Sequence, residues 1–225
     1  MKITYLGHSA VILEEGDFKG IIDPFVSENE LATTKVEDIT GITHIFITHG
    51  HADHIGDTEV IAKANDALII SNAEISDYFA SKGYRTHAMH IGGSKEFDFG
   101  RVKLTLAIHG SGITTDQGTI EGGNPCGFII EANGKKVYHA GDTGLTMDMQ
   151  LLSHENIDVA LLPIGGNYTM DIGDALKAVE MIKPKLTIPI HFNTFHVIKV
   201  EPVDFQAKNK VSETKILEID ESYEF

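Results

Sequence analysis

The sequence predicts an α/β fold in which two β-sheets pack face to face and helices cover their outer faces, an αββα layering. Three observations carry that expectation. The first residues alternate like paired strands, a β-α-β rhythm follows in each half of the chain, and hairpin signals stand between the two rhythmic stretches.

Ile3 to Gly7, Val11 to Glu14 and Gly20 to Ile22 read as strands, separated by Gly16-Asp17 and closed by Asp23-Pro24, a pair that favours a turn. His44-Ile45-Phe46-Ile47 reads as a buried strand. Asp57 to Ala64 has the spacing of a short amphipathic helix, Ala67 to Ser71 reads as a strand, and Ala73 to Ser81 as a helix ended by Gly83. One hairpin is expected at Glu96 to Phe99 and Val102 to Ile108, turned at Gly100. A second is expected at Gly127 to Glu131 and Lys136 to His139, turned at Asn133-Gly134, a pair suited to the left-handed backbone of a two-residue loop. Helices near Met147 to Asn156 and at Ile172 to Ile182, behind Asp171, alternate with strands at Val159 to Pro163 and Leu186 to Ile190, and a last helix and strand close the chain. Gly110 to Gly127 is glycine-rich and poor in large apolar residues, so it reads as a mobile flap.

The 225 residues suffice for one well-buried core, and residues 1–225 read as a single domain without linker, repeat or low-complexity tract. Met1 to Leu6 already alternate like a strand, so no signal peptide is expected, and no apolar run is long enough to cross a bilayer. The single cysteine, Cys126, cannot form an internal disulfide, which suits the cytoplasm, and it reads as a small packed residue. Lys and Arg total 18 against 33 Asp and Glu, a formal charge of −15 that would repel a phosphate backbone and disfavours nucleic acid as a partner.

The chemistry is concentrated in Thr48-His49-Gly50-His51-Ala52-Asp53-His54. Imidazole and carboxylate are ligands that divalent transition metals prefer, and packing asks for no such cluster at a strand end. Residues two apart in an extended segment point the same way, so His49 and His51 can grip one ion, while Asp53 and His54 stand one turn further on at the start of a helix.

That run resembles the signature of the metallo-β-lactamase superfamily. Ile108-His109-Gly110, Ala140-Gly141-Asp142-Thr143-Gly144 and Pro189-Ile190-His191-Phe192 resemble its later metal motifs, in order and at the ends of strand-like runs. Leu6-Gly7-His8-Ser9-Ala10, Ile22-Asp23-Pro24, Pro163-Ile164-Gly165-Gly166 and His191-Phe192-Asn193-Thr194-Phe195 are similar to the metal-dependent hydrolases related to ascorbate-6-phosphate lactonase. The resemblance spans essentially the whole chain. It implies the four-layer αββα sandwich of the metallo-β-lactamase type and two metal sites: His49, His51 and His109 in one, Asp53, His54 and His191 in the other, with Asp142 bridging. His90 rivals His109, but only His109 leads into the glycine-rich loop that the family pattern requires.

Three protein ligands with a position left over is the pattern of catalytic rather than structural zinc. Two divalent ions are therefore expected, zinc first, with manganese, iron or nickel as competitors because no soft ligand is present. The resemblance disfavours oxygen chemistry, since the flavin-linked di-iron relatives carry a carboxylate where His51 stands. A water shared by two ions reaches a near-neutral pKa, so hydrolysis of a small anionic ester or lactone is the first expectation, with Asp53 as both ligand and orienter. A phosphodiesterase or nuclease, and a non-catalytic metal-binding subunit, are the alternatives. The resemblance also places His8 near the metals, as a substrate-binding or supporting group. His196, five residues after His191, is a candidate general acid. Asn167, Tyr168 and Thr169 precede the Asp171-capped helix, where backbone N–H groups could hold an anion. The oligomeric state is left open.

Overall fold

The computed structural model describes residues 1–225. The strands are β1 (Lys2–Gly7), β2 (Ala10–Glu15), β3 (Phe18–Ile22), β4 (His44–Phe46), β5 (Leu68–Asn72), β6 (Thr86–Met89), β7 (Ser94–Phe97), β8 (Gly100–Leu106), β9 (Gly112–Thr115), β10 (Gly118–Glu121), β11 (Cys126–Ala132), β12 (Lys135–His139), β13 (Val159–Pro163), β14 (Leu186–Ile190), β15 (Glu213–Thr214) and β16 (Ser222–Glu224). The α-helices are α1 (Ala52–Ile55), α2 (Thr58–Asn65), α3 (Ala73–Ser81), α4 (Ile172–Ile182) and α5 (Pro202–Lys208).

Two seven-stranded sheets result, one ordered β16-β1-β2-β3-β4-β5-β6 and the other β15-β14-β13-β12-β11-β8-β7. Side chains alternate across each strand, and both faces are apolar because both are covered. Val11, Leu13, Phe46 and Ile70 of the first sheet meet Leu104, Phe128, Leu161 and Ile188 of the second in one inter-sheet core. The neighbouring residues Ile12, Ile45 and Ile69 turn outward to Ile61, Ile75 and Phe79 of α2 and α3. On the far side, Ile129, Ala160 and Leu162 face Ala175, Ala178, Val179 and Ile182 of α4. Those four α4 residues recur at helical spacing, and the Asp171 carboxylate caps the helix by accepting from Asp174 N at 2.9 Å. This is the expected αββα layering. No helix is long and apolar enough to cross a membrane.

The Asn133-Gly134 hairpin forms as expected, with both loop residues at positive φ. The other is shifted. Its loop is Asp98-Phe99 rather than Gly100, which opens β8 and pairs with Ala132. Gly100 has φ 144°, and a Cβ there would lie 2.0 Å from the Glu131 carbonyl oxygen, so the close approach of β11 selects glycine inside a strand. The expected helix near Met147 is a 3₁₀ helix over Met147–His154.

The segment expected as a flap contains regular structure. Residues 112–121 form the β9–β10 hairpin, Cys126 and Gly127 already belong to β11, and Ile113 is buried against the first sheet's outer core. The base is pinned by side chains: Ser111 Oγ donates to Gly122 O at 2.8 Å, and Asn72 Nδ2 to Gly122 O and Asn124 O at 2.7 and 2.9 Å. These bonds give the irregular backbone the partners that a free loop would seek from water.

The Phe46 and Phe128 rings meet edge to face across the inter-sheet core, with centroids 5.4 Å apart. Phe128→Ala is expected to cost about 3–5 kcal/mol, read as a fall in the midpoint of urea unfolding at fixed metal concentration.

Candidate metal centre

β4, β12 and β14 run into the same edge of the sandwich, so the loops after them deliver His49, Asp142 and His191 to one place. After β4, His51 is extended and acts as N-cap to α1, whose first turn carries Asp53 and His54. The helix ends after one turn at Gly56, at φ 39°. A Cβ there would stand 2.3 Å from the Pro24 carbonyl, and this contact lays the Asp23-Pro24 loop against the helix and sets Asp23 beside His54.

Asp23 is fully buried. Its Oδ1 accepts from Thr48 N at 2.8 Å, and its Oδ2 accepts from Thr48 Oγ1 and His54 Nδ1, each at 2.7 Å. The Thr48 hydroxyl directs its one O–H at Asp23, so toward His49 Nδ1, 3.0 Å away, it can only accept. The partners therefore assign Nδ1–H to both His49 and His54 and turn both Nε2 atoms toward the cluster.

Candidate ligand atoms of His49, His51 and His109 lie within 4.8 Å of one another, as do those of His8, Asp53, His54 and His191. Asp142, 2% exposed, stands between the two groups. Its Oδ1 is 3.3 Å from His54 Nε2, and its Oδ2 is 3.0 Å from His191 Nε2 and 3.5 Å from His109 Nε2. His54 Nε2 and Asp142 Oδ1 are buried and face each other without hydrogen bonding to each other or to any other group. Such a pair is costly unless something charged joins it, so the donor set fits a metal ion.

The electrostatics agree. Burial would lower the His54 pKa, but the Asp142 and Asp23 carboxylates outweigh it and lift the group well above its ordinary value. Burial would raise Asp142, and the charges of His54 and His191 hold it well below the carboxylate range. The site thus calls for positive charge at its centre, from a proton or, more completely, from a divalent ion. His49 is pushed well below its ordinary value, first by burial and then by His54, so it stays a neutral lone-pair donor.

All seven expected ligand residues are brought together. His8 joins them, 1% exposed and at φ 55°, with Nε2 donating to Asp53 Oδ2 at 3.1 Å and Nδ1 accepting from Thr194 Oγ1 at 3.0 Å. Burial takes its pKa down to about 4, and with both nitrogens engaged the ring orients Asp53 and has none left for a substrate. His196 is exposed in a 3₁₀ turn and is absent from the cleft lining, which consists of His51, Asp53, His109, Asp142, Tyr168, His191 and Phe195. His90 is exposed in the β6–β7 connection, outside the cluster. Cys126 is packed, donating to Thr48 O at 3.3 Å, and burial pushes its thiol pKa up.

Of Asn167, Tyr168 and Thr169, expected to offer N–H groups to an anion before α4, two are already engaged. Tyr168 N and Thr169 N both donate to Gly166 O, and Met170 N donates to Thr143 O. Sequence reasoning missed Asp23, Thr48 and Thr194 as positioning groups. Asp23 and Thr194 stood in the motifs Ile22-Asp23-Pro24 and His191-Phe192-Asn193-Thr194-Phe195 without a role, and an acidic residue at a strand end before proline also reads as a turn.

Asp23→Asn would set an amide N–H against one of the donors that Asp23 now accepts. Metal affinity is expected to fall about 10–100-fold with the fold retained, checked by competitive metal titration alongside circular dichroism.

Comparison with known proteins places this geometry. Residues 21–192 match the β-lactamase superfamily domain. The chain is 56% identical over 225 residues to a UPF0173 metal-dependent hydrolase of Alkaliphilus metalliredigens, covering all of both chains, and 47% identical over 229 residues to one of Pelotomaculum thermopropionicum, again with full coverage. A solved metallo hydrolase from Ignicoccus hospitalis superimposes with a TM-score of 0.91 at 37% identity, covering 100% of this chain and 98% of that one. With sequence likeness over its whole length, a shared fold and the motif residues gathered at one edge, the chain belongs to the metallo-β-lactamase superfamily and, within it, to the UPF0173 family.

Proposed function

We propose that the protein is a dinuclear metal-dependent hydrolase of a small ester or lactone, acting in the cytoplasm. The observation that carries this reading is the Asp142 carboxylate, buried within 3.0–3.5 Å of imidazole nitrogens from both ligand groups. His49, His51 and His109 would hold one ion, and Asp53, His54 and His191 the other. Two such ions, zinc first with manganese, iron or nickel as competitors, supply when bound a water of near-neutral pKa and an electrophile for a carbonyl oxygen.

The remaining work falls to side chains. Asp53 is held ionised: burial would raise its pKa, but the hydrogen bond from His8 and the charges of His54 and His8 hold it below the usual carboxylate range. It is thereby a fixed acceptor at the mouth of the cleft, able to orient an attacking water. The cleft volume of about 490 Å³ suits a small molecule, and the charge of −15 suits one better than a polynucleotide. The hydrolase names of the close relatives support the reaction class.

Metal analysis of reconstituted protein is expected to approach two ions per chain. Asp142→Ala should lower that occupancy and reduce turnover by at least about 10–100-fold, the loss that even an outer partner's removal produces. A limit of one ion in the unmodified protein, or full occupancy in the variant, would overturn the bridging assignment. A screen of the metal-loaded protein that finds phosphodiester cleavage and no ester or lactone turnover would overturn the substrate class.

A further inference from the structure

The cleft over the candidate ligands carries two features that the ligands do not explain. Its lining contains no lysine and no arginine, and its two remaining members are aromatic: Tyr168, 55% exposed, and Phe195, 38% exposed. Large apolar groups held out of a core mark contact surfaces when they border a site.

Both rings stand on fixed backbone. Tyr168 lies in the turn after β13, where Gly166 N donates to Met170 O at 3.0 Å and Met170 N to Thr143 O at 2.9 Å, with the Met170 side chain buried beneath. Phe195 lies after β14, in a loop closed by Asn193 N donating to Ile198 O at 3.0 Å and Ile198 N to Phe195 O at 3.1 Å, with Ile198 buried. Its ring packs edge to face on His8 at 5.3 Å and tilts toward Phe25 at 6.3 Å. The aromatic surfaces are presented by anchored loops from two neighbouring strands.

Charge points the same way. The backbone N–H groups of Tyr168, Thr169 and Met170 are spent within the protein and are not free for an anion. Asp53 and Asp142 themselves face the cleft. Divalent ions held by this cluster would be partly offset by these two carboxylates, and the lining adds no lysine or arginine to their charge. A phosphate or carboxylate on the substrate would have no dedicated partner and would meet a chain of charge −15.

We infer that Tyr168 and Phe195 form the subsite for the non-reacting part of the substrate and that this part is uncharged and apolar. The substrate is then a neutral aryl or alkyl ester or lactone, and the anionic group expected from the sequence is not what the cleft accommodates. This inference rests on the hydrolase reading above and names its substrate class.

The chain has no tryptophan, so Phe195→Trp places a single indole at the subsite and makes binding visible without turnover. The metal-saturated variant would be titrated with 3-phenylpropanamide and with the same amide carrying a para-phosphonate. The neutral amide is expected to shift the indole emission saturably and to bind at least about 10-fold more tightly than the phosphonate. Adding Tyr168→Ala should weaken the neutral amide about 3- to 10-fold, and Tyr168→Phe should restore it, with metal content equal in all variants. Equal or tighter binding of the phosphonate, no saturable signal from the neutral amide, or indifference to Tyr168→Ala would overturn the subsite. Turnover of methyl 3-phenylpropanoate, measured in parallel, separates the two readings. Amide binding without ester hydrolysis keeps the subsite and overturns the hydrolase proposal, whereas hydrolysis confined to phosphonate-bearing esters overturns the subsite and keeps the hydrolase.

Discussion

The Asp23 carboxylate, at the end of β3 and shut away from water, accepts hydrogen bonds from the Thr48 amide, the Thr48 hydroxyl and His54 Nδ1. A buried carboxylate without such partners would be strongly destabilising, and bonds to a charged acceptor contribute about 1.5–3 kcal/mol each. The partners that satisfy it are also those that shape the site. Thr48 relays the constraint to His49, His54 receives it directly, and the short helix α1 is stopped at Gly56 by the loop that carries Asp23. One interaction therefore fixes the tautomers of two candidate ligands and the course of the backbone between them.

Neither sheet carries a complete site. His8, His49, His51, Asp53 and His54 follow strands of the first sheet, whereas His109, Asp142 and His191 follow strands of the second. Each ligand group draws on both sides, with His109 completing one and His191 the other. An ion bound in either group would cross-link the two halves of the sandwich at the edge where the inter-sheet core ends. Metal binding and stability are thereby coupled, since an ion that prefers the folded arrangement stabilises it by mass action. The connecting loops are already stitched together: Ile108 N donates to Thr143 Oγ1, Gly144 N to Ile108 O and His191 N to His8 O.

The outer parts of the cleft differ in character from its floor. Imidazoles and carboxylates form the floor, with Asp53 fixed by His8, while Tyr168 and Phe195 above present apolar surface from anchored turns. His8 joins the two levels, with its nitrogens tied to Asp53 and Thr194 and its ring against Phe195.

Much of this was legible in the chain itself. The apolar runs Val11 to Leu13 and Ile45 to Ile47, the spacing Ala175-Ala178-Val179-Ile182 behind Asp171, and Asn133-Gly134 are local signals with local causes, and they pointed to buried strands, helix α4 and one hairpin. The dense run from His49 to His54 named its own chemistry, and the family motifs supplied His109, Asp142 and His191, which no local pattern singles out. What lay beyond reach depended on neighbours distant in sequence. Gly100 looked like a turn until the Glu131 carbonyl explained it as a strand residue. The Gly110 to Gly127 segment looked irregular, and only the fold shows that it holds a hairpin tied at its base by Ser111 and Asn72. Asp23 looked like part of a turn because its three donors lie 25 and 31 residues away. Met170 N finds its acceptor at Thr143 O, 27 residues back, where the tertiary path brings two loops together. Sequence alone determined which residue types and periods were present, hence the fold and the metal chemistry. Tertiary structure decided which polar groups were already satisfied, and so what was left for a substrate to meet.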